Sequence, residues 1–243
     1  MLVDPLTTMM AVSLVVAGAM CQTGVGIGFS IIVAPFLMIV IGPSMAVPLL
    51  LLLNAVVSAV GCKDVLGRDD FNQIKPAIPA CLAGIVLGSV TYYFLPAAFI
   101  LAITGILLVT GTLATFLIRG VVAEQRLHVV SALSGVATAW TATPGPLLAL
   151  GLLMFGYAAS EVRRLIQPFA LLAYGVALLP HLFISGKDIV TLPGLIVLLV
   201  ATVVGSLLGL WLGPRLPGGI ITSAIRLISI VAGVALLYRS LVL

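Results

Sequence analysis

Two stretches decide how this chain folds: Cys21-Gln22-Thr23-Gly24-Val25-Gly26-Ile27-Gly28 and Trp140-Thr141-Ala142-Thr143-Pro144-Gly145-Pro146. Each is a polar, glycine- or proline-rich break inside an otherwise apolar run, and the two fall at matching places in the two halves of the sequence. Their meaning depends on the solvent. The chain is 62% hydrophobic and only 7% charged, with a mean hydropathy of +1.35, whereas a soluble domain carries about a quarter charged residues. Such a chain cannot cover itself with polar surface, so lipid is its solvent. Within a bilayer, backbone leaves the helix only where protein buries it or where it lines a cavity. Paired breaks at corresponding positions therefore point to a transport site.

Outward from the breaks, the apolar segments are 9–41 (broken at 21–28), 45–62, 76–94 and 97–118, then 128–156 (broken at 140–146), 161–185, 189–212 and 220–241. The six unbroken ones approach the ~20 residues that cross a hydrocarbon core. The segment Met9 to Met20 is not read as a signal peptide, because Asp4 and no Lys or Arg precedes it. Cys21, Cys62 and Cys81 are too few and too scattered for a disulfide framework or a metal site, and no cofactor is expected.

Basic residues collect on the cytoplasmic side of membrane proteins, which tests how the broken segments run. If each crosses once, the basic residues divide seven against three. If each is a hairpin, loops 63–75, 119–127, 157–164 and 213–219 share one side with eight basic residues, opposite Lys187 and Arg239 alone. The cleaner asymmetry favours hairpins and places both termini outside a bacterial cytoplasmic membrane. Each half then holds one re-entrant hairpin and three crossings, an odd number, so the halves are inverted. The expected fold is an all-α polytopic membrane protein of two inverted repeats, 1–118 and 128–243, joined by a cytoplasmic linker at 119–127. Leu95-Pro96-Ala97-Ala98 and Leu216-Pro217-Gly218-Gly219, each before a last helix, support the duplication.

Gly24, Gly26 and Gly28 let the first tip turn without a Cβ in the way. Where helices restart beyond the tips, free N–H groups and the positive end of the helix dipole face the centre, which suits an anion. Gln22, Thr23, Thr141, Thr143 and Gly145 add donors or turn geometry, and Trp140 an amphipathic wall. The alternative is that small residues merely let helices pack closely, the reading preferred for Gly84, Gly88, Gly205 and Gly209.

Residues Gln22 to Ser30 followed by Ala34-Pro35-Phe36-Leu37 resemble the first signature of the TauE/SafE family of sulfite and organosulfonate anion transporters. Gly135 to Pro146, Leu147 and then Glu161-Val162-Arg163-Arg164 resemble the second. In many members the first tip has consecutive glycines; here Ile27 interrupts them. The resemblance implies passage of small sulfur-containing or organic anions such as sulfite, sulfoacetate or other sulfonates.

Arg163 and Arg164 open the sixth unbroken or broken segment on the expected cytoplasmic side, where they either orient the chain or grip an anion in a guanidinium fork. Gln167 follows one helical turn above, and Arg226 is a third candidate cation. Asn54 and Ser58, one turn apart, and Tyr174 face either the cavity or a neighbouring helix. His181 is expected at the interface, and His128 at a helix start. All seven acids map to loops or segment ends, and this lack of an intramembrane carboxylate favours passive or potential-driven movement over proton or sodium coupling. Expected partners are the lipid bilayer and the anion, with no nucleic acid; a homo-oligomer stays open. An intramembrane enzyme is disfavoured, and a channel or membrane assembly factor is the competing class.

Overall fold

The computed structural model describes residues 4–62, 75–117, 125–143, 159–215 and 218–243. Among the described residues the chain is all helical, as expected of a polytopic α-helical membrane protein. We number the α-helices α1 (Pro5–Val25), α2 (Phe29–Ile41), α3 (Pro43–Gly61), α4 (Ile78–Tyr92), α5 (Ala97–Leu117), α6 (Gln125–Thr141), α7 (Ala159–Val190), α8 (Leu195–Leu212) and α9 (Gly218–Val242). Among the described residues, seven helices are long and apolar enough to cross a membrane. Six match the unbroken segments read from the sequence; the seventh is α1 itself.

The long first arm has a local cause. Asp4 caps α1, its Oδ2 accepting the Thr7 N–H at 2.9 Å, and Pro5 occupies the first turn, where its missing N–H does no harm. These Thr7 bonds hold the Asp4 carboxyl below the usual carboxylate range. At the other end the helix does not stop at Cys21 but runs on to Val25, the Thr23 hydroxyl satisfied within it by Ala19 O at 3.0 Å. It stops at Gly26, whose φ of 102° no helix tolerates. The return arm α2 has only 13 residues, so the first hairpin is lopsided.

Lipid-facing surface confirms the solvent. On α8 the inner stripe is Leu198, Ala201, Thr202, Gly205, Ser206 and Gly209, while Ile196, Val200, Val204, Leu207 and Trp211 face outward. Leaving such side chains in water would cost about 1.5–3 kcal/mol each.

Glycines fix the helix pairs and their directions. Gly205 receives Val16 and Ala19, and Gly209 receives Met20, so α8 runs parallel to α1. Gly84 receives Ala132, and Gly88 receives Val136 and Ala139, so α4 runs parallel to α6 in the same manner. This is the close packing read from the sequence for all four glycines. Helices α5 and α9 run antiparallel: Gly105 lies against Gly233 and Leu237, and Thr112 Oγ1 donates to Ser229 Oγ at 2.7 Å. Helix α2 folds back between α1 and α3, with Gly18 against Val33 and Ser30 beside Asn54. Gln167, near the start of α7, packs on Gly61 at the end of α3. At the far end of the bundle His181 of α7 packs on Tyr92, whose hydroxyl donates to Pro43 O at the start of α3. Helices α3 and α7 therefore run in opposite directions through the core.

Candidate functional site at the two helix breaks

The breaks are built alike. At the end of α1 the Gly26 N–H returns to Gln22 O at 2.8 Å, and at the end of α6 the Ala142 N–H returns to Thr138 O at 2.9 Å. Both capping residues have positive φ, 102° at Gly26 and 51° at Ala142. Glycine adopts this conformation freely, whereas an alanine there costs about 1–2 kcal/mol. Hydrogen bonds hold the second break in place: Thr143 N–H donates to Thr141 Oγ1 at 3.3 Å, and the two threonine hydroxyls are hydrogen-bonded to each other.

At the first break, Gln22 Oε1 accepts the Phe29 N–H at 3.2 Å and so caps α2 across the turn. Its own carbonyl also accepts from Gln167 Nε2 at 3.1 Å. With Oε1 used to cap α2, the side-chain amide nitrogen is the donor that Gln22 contributes at this break. Gly28, at φ 140°, turns the chain into α2 where a Cβ would lie 2.9 Å from Cys21 Cβ.

Ser30 joins the breaks. From the first turn of α2 its Oγ donates to Ala142 O at 2.7 Å and accepts from Asn54 Nδ2 at 2.9 Å. Asn54 also donates to Leu50 O at 2.8 Å, and Tyr174, 1% exposed, interacts with Ser30 from α7. The result is a buried cluster of neutral polar groups drawn from α1, α2, α3, α6 and α7: Gln22, Ser30, Asn54, Thr141, Thr143, Gln167 and Tyr174. No acid is buried among the described side chains, and no cluster of three or more His, Cys, Asp or Glu residues that could hold a metal ion occurs there.

The structure brings together most of the residues singled out from the sequence, but not all. The Thr23 hydroxyl is directed at α8, donating to Ser206 O at 2.9 Å. Gly24 lets α1 approach Gly209 and Gly213, and is a packing residue. The Trp140 indole also points away, donating to Gly88 O and Thr91 Oγ1 at 3.0 Å each, with Phe99 at its edge. His181 is buried within the protein near the far end of the bundle, its Nε2 3.1 Å from Ala139 O. His128 is exposed near the start of α6, and Arg226 is half-buried and engaged on α9. Gly145 lies outside the described residues, as do the side chains of Arg163 and Arg164. Ser30, the bridge, was quoted in the sequence only as part of a motif. The signal for it was positional: Ser30 and Asn54 lie twelve residues on either side of Gly42, whose φ of 80° reverses the chain.

A polytopic helical bundle whose buried polar groups gather at two broken helices belongs, by its architecture, with membrane transporters. Residues 10–236 match the family described as sulfite exporter TauE/SafE, and the chain belongs to that family. No curated protein and no solved structure matches it.

Proposed function

We propose that this protein is an exporter of a small sulfur-containing or organic anion, such as sulfite, sulfoacetate or another sulfonate, in a bacterial cytoplasmic membrane. In this reading the anion sits between the two breaks, and the halves 1–118 and 128–243 act as inverted repeats that expose it alternately to each side. The observation that carries the reading is the Ser30 bridge, which joins the two breaks inside one buried cluster free of acidic groups. Neutral amide and hydroxyl donors suit an anion that must leave again, since a fixed cation at the centre would hold it. The helix directions support inversion: α3 opposes α7, α5 opposes α9, and α1 pairs with α8 as α6 pairs with α4. With no buried acid among the described side chains to carry a proton, the inside-negative potential drives the anion outward in this reading. Transport rather than catalysis is the work of the site.

Flux of sulfite and sulfoacetate in proteoliposomes tests this. Saturable efflux that follows an imposed potential is expected. Non-saturable flux would mean a channel, no flux an assembly factor, and flux that follows only a proton gradient an uptake permease. A thermal-shift screen of sulfite, sulfonates and carboxylates identifies the anion, and its stabilisation should fall in Gln22→Ala and Thr143→Ala.

A further inference from the structure

We propose that a monovalent cation of sodium size binds at the first break, between the C-terminal ends of α1 and α3, with Gln167 Oε1 and Ser58 Oγ among its ligands. The argument begins with two orphans. Both oxygens are fully buried and have no hydrogen-bond partner, and an unpaired buried polar atom costs about 1–3 kcal/mol. Each requires an occupant that the protein itself does not supply.

The chemistry of that occupant follows from the way Gln167 is held. Its amide nitrogen must face Gln22 O, because a carbonyl only accepts. The free end of the side chain is therefore the oxygen, which also only accepts. An anion cannot satisfy it; a cation or a donor can. Gln167 rests on Gly61, where a Cβ would stand 3.1 Å from Oε1, and Ser58 lies on α3 one turn before Gly61. The two orphans thus belong to the same neighbourhood of the α3–α7 contact.

The electrostatics point the same way. Helix α1 ends at Val25 and α3 at Gly61, and Gln167 touches both ends, through Gln22 O and Gly61. A helix C-terminus carries about half a negative charge, and neither helix has a basic residue in its last turn; Lys63, farther on, lies outside the described residues. Two negative helix ends beside an orphan acceptor form an oxygen-lined, carboxylate-free setting of the kind in which broken transporter helices hold sodium. A resident cation would place a positive charge next to the break that presents the Gln22 amide, and binding of the two ions would be mutually favourable. A cation that stays bound moves no charge through the cycle, so potential-driven export is unaffected.

The test uses the purified full-length protein in detergent, with thermal unfolding followed in chloride salts of sodium, lithium, potassium and N-methylglucamine at constant ionic strength. Sodium or lithium is expected to raise Tm saturably, and potassium and N-methylglucamine are not. Ser58→Ala and Gln167→Met should lose the response. Gln167→Glu, which gives up the N–H to Gln22 O but adds a charge to the same ligand, should lower the half-saturating sodium concentration by about tenfold. Absence of a cation-specific shift in the parent protein, or an undiminished shift in Ser58→Ala, overturns the proposal and leaves water as the occupant. If Gln167→Met does not fold, Ser58→Ala and Gln167→Glu still decide. Because the readout is binding, it can fail with anion flux intact, and flux can fail with binding intact.

Discussion

Ser30 is the residue on which the two halves meet, and its hydroxyl serves three partners at once. Ser30→Ala strips a donor from Ala142 O and an acceptor from Asn54, both buried, and should destabilise the protein by about 1–3 kcal/mol, read as a lower unfolding midpoint in detergent. Gln22 separates support from binding. In Gln22→Glu a carboxylate oxygen can still accept the Phe29 N–H, so the fold should hold, while the donor proposed to face the anion is replaced by a negative charge. Anion affinity should fall at least tenfold, about 1.4 kcal/mol, by titration calorimetry. Retained affinity would remove Gln22 from the site. The polar character of Gln22, Asn54, Thr141 and Thr143 was legible in the sequence because such groups are costly in an apolar segment. The directions of their side chains were not. Thr23 and Trp140 look equally suited to a cavity, yet each finds a partner on a neighbouring helix, which only the packing reveals.

At the scale of elements, the glycines of α4 and α8 are the places where helices touch. A Cβ at Gly84 would collide with the Ala132 carbonyl, so Gly84→Val should destabilise by at least about 2 kcal/mol through overpacking. Gly175, in the middle of α7, has nothing within 4 Å of an added Cβ. Gly175→Ala should be neutral or stabilise by up to about 1 kcal/mol. Equal unfolding midpoints for Gly84→Val and the parent protein would undo the pairing of α4 with α6. Both breaks were legible as glycine or proline punctuation, but not their first residues. Helix α1 continues through Thr23 to Val25, past the point where polarity suggests a stop, and the left-handed turn of the second break falls on Ala142, a residue with no such preference. Only its hydrogen bonds from Ser30 and to Thr138 account for that conformation.

For the whole molecule, the helix directions assign the described turns and helix termini to one of two ends. The start of α1, the turn between α4 and α5, and the turn between α7 and α8 share one end, while the ends of α3 and α8 share the other. In a chain with Cys21, Cys62 and Cys81 replaced by alanine, single cysteines at Phe94 and Pro193 should react with an impermeant thiol reagent from the same face of intact cells. A cysteine at Gly213 should not react from that face. Opposite labelling of 94 and 193 would refute the directions derived for α4 and α7. The charge asymmetry of the loops leads to the same expectation from the sequence, because hairpins gather eight basic residues on one side.

The exchange of partners between the halves is close but unequal. Gly24 brings bare backbone against Gly209 and Gly213 on one side of the bundle; at the related place on the other side, the Trp140 indole is clamped to Gly88 and Thr91. Were the two halves identical, the two faces of a rocking cycle would be mirror images of equal energy, and the protein would rest open to either side half the time. In the alternating exporter proposed above, the indole anchored beside Gly88 and Thr91 would remove that degeneracy. The exporter would then favour one resting face, and Trp140→Gly should shift it toward the midpoint.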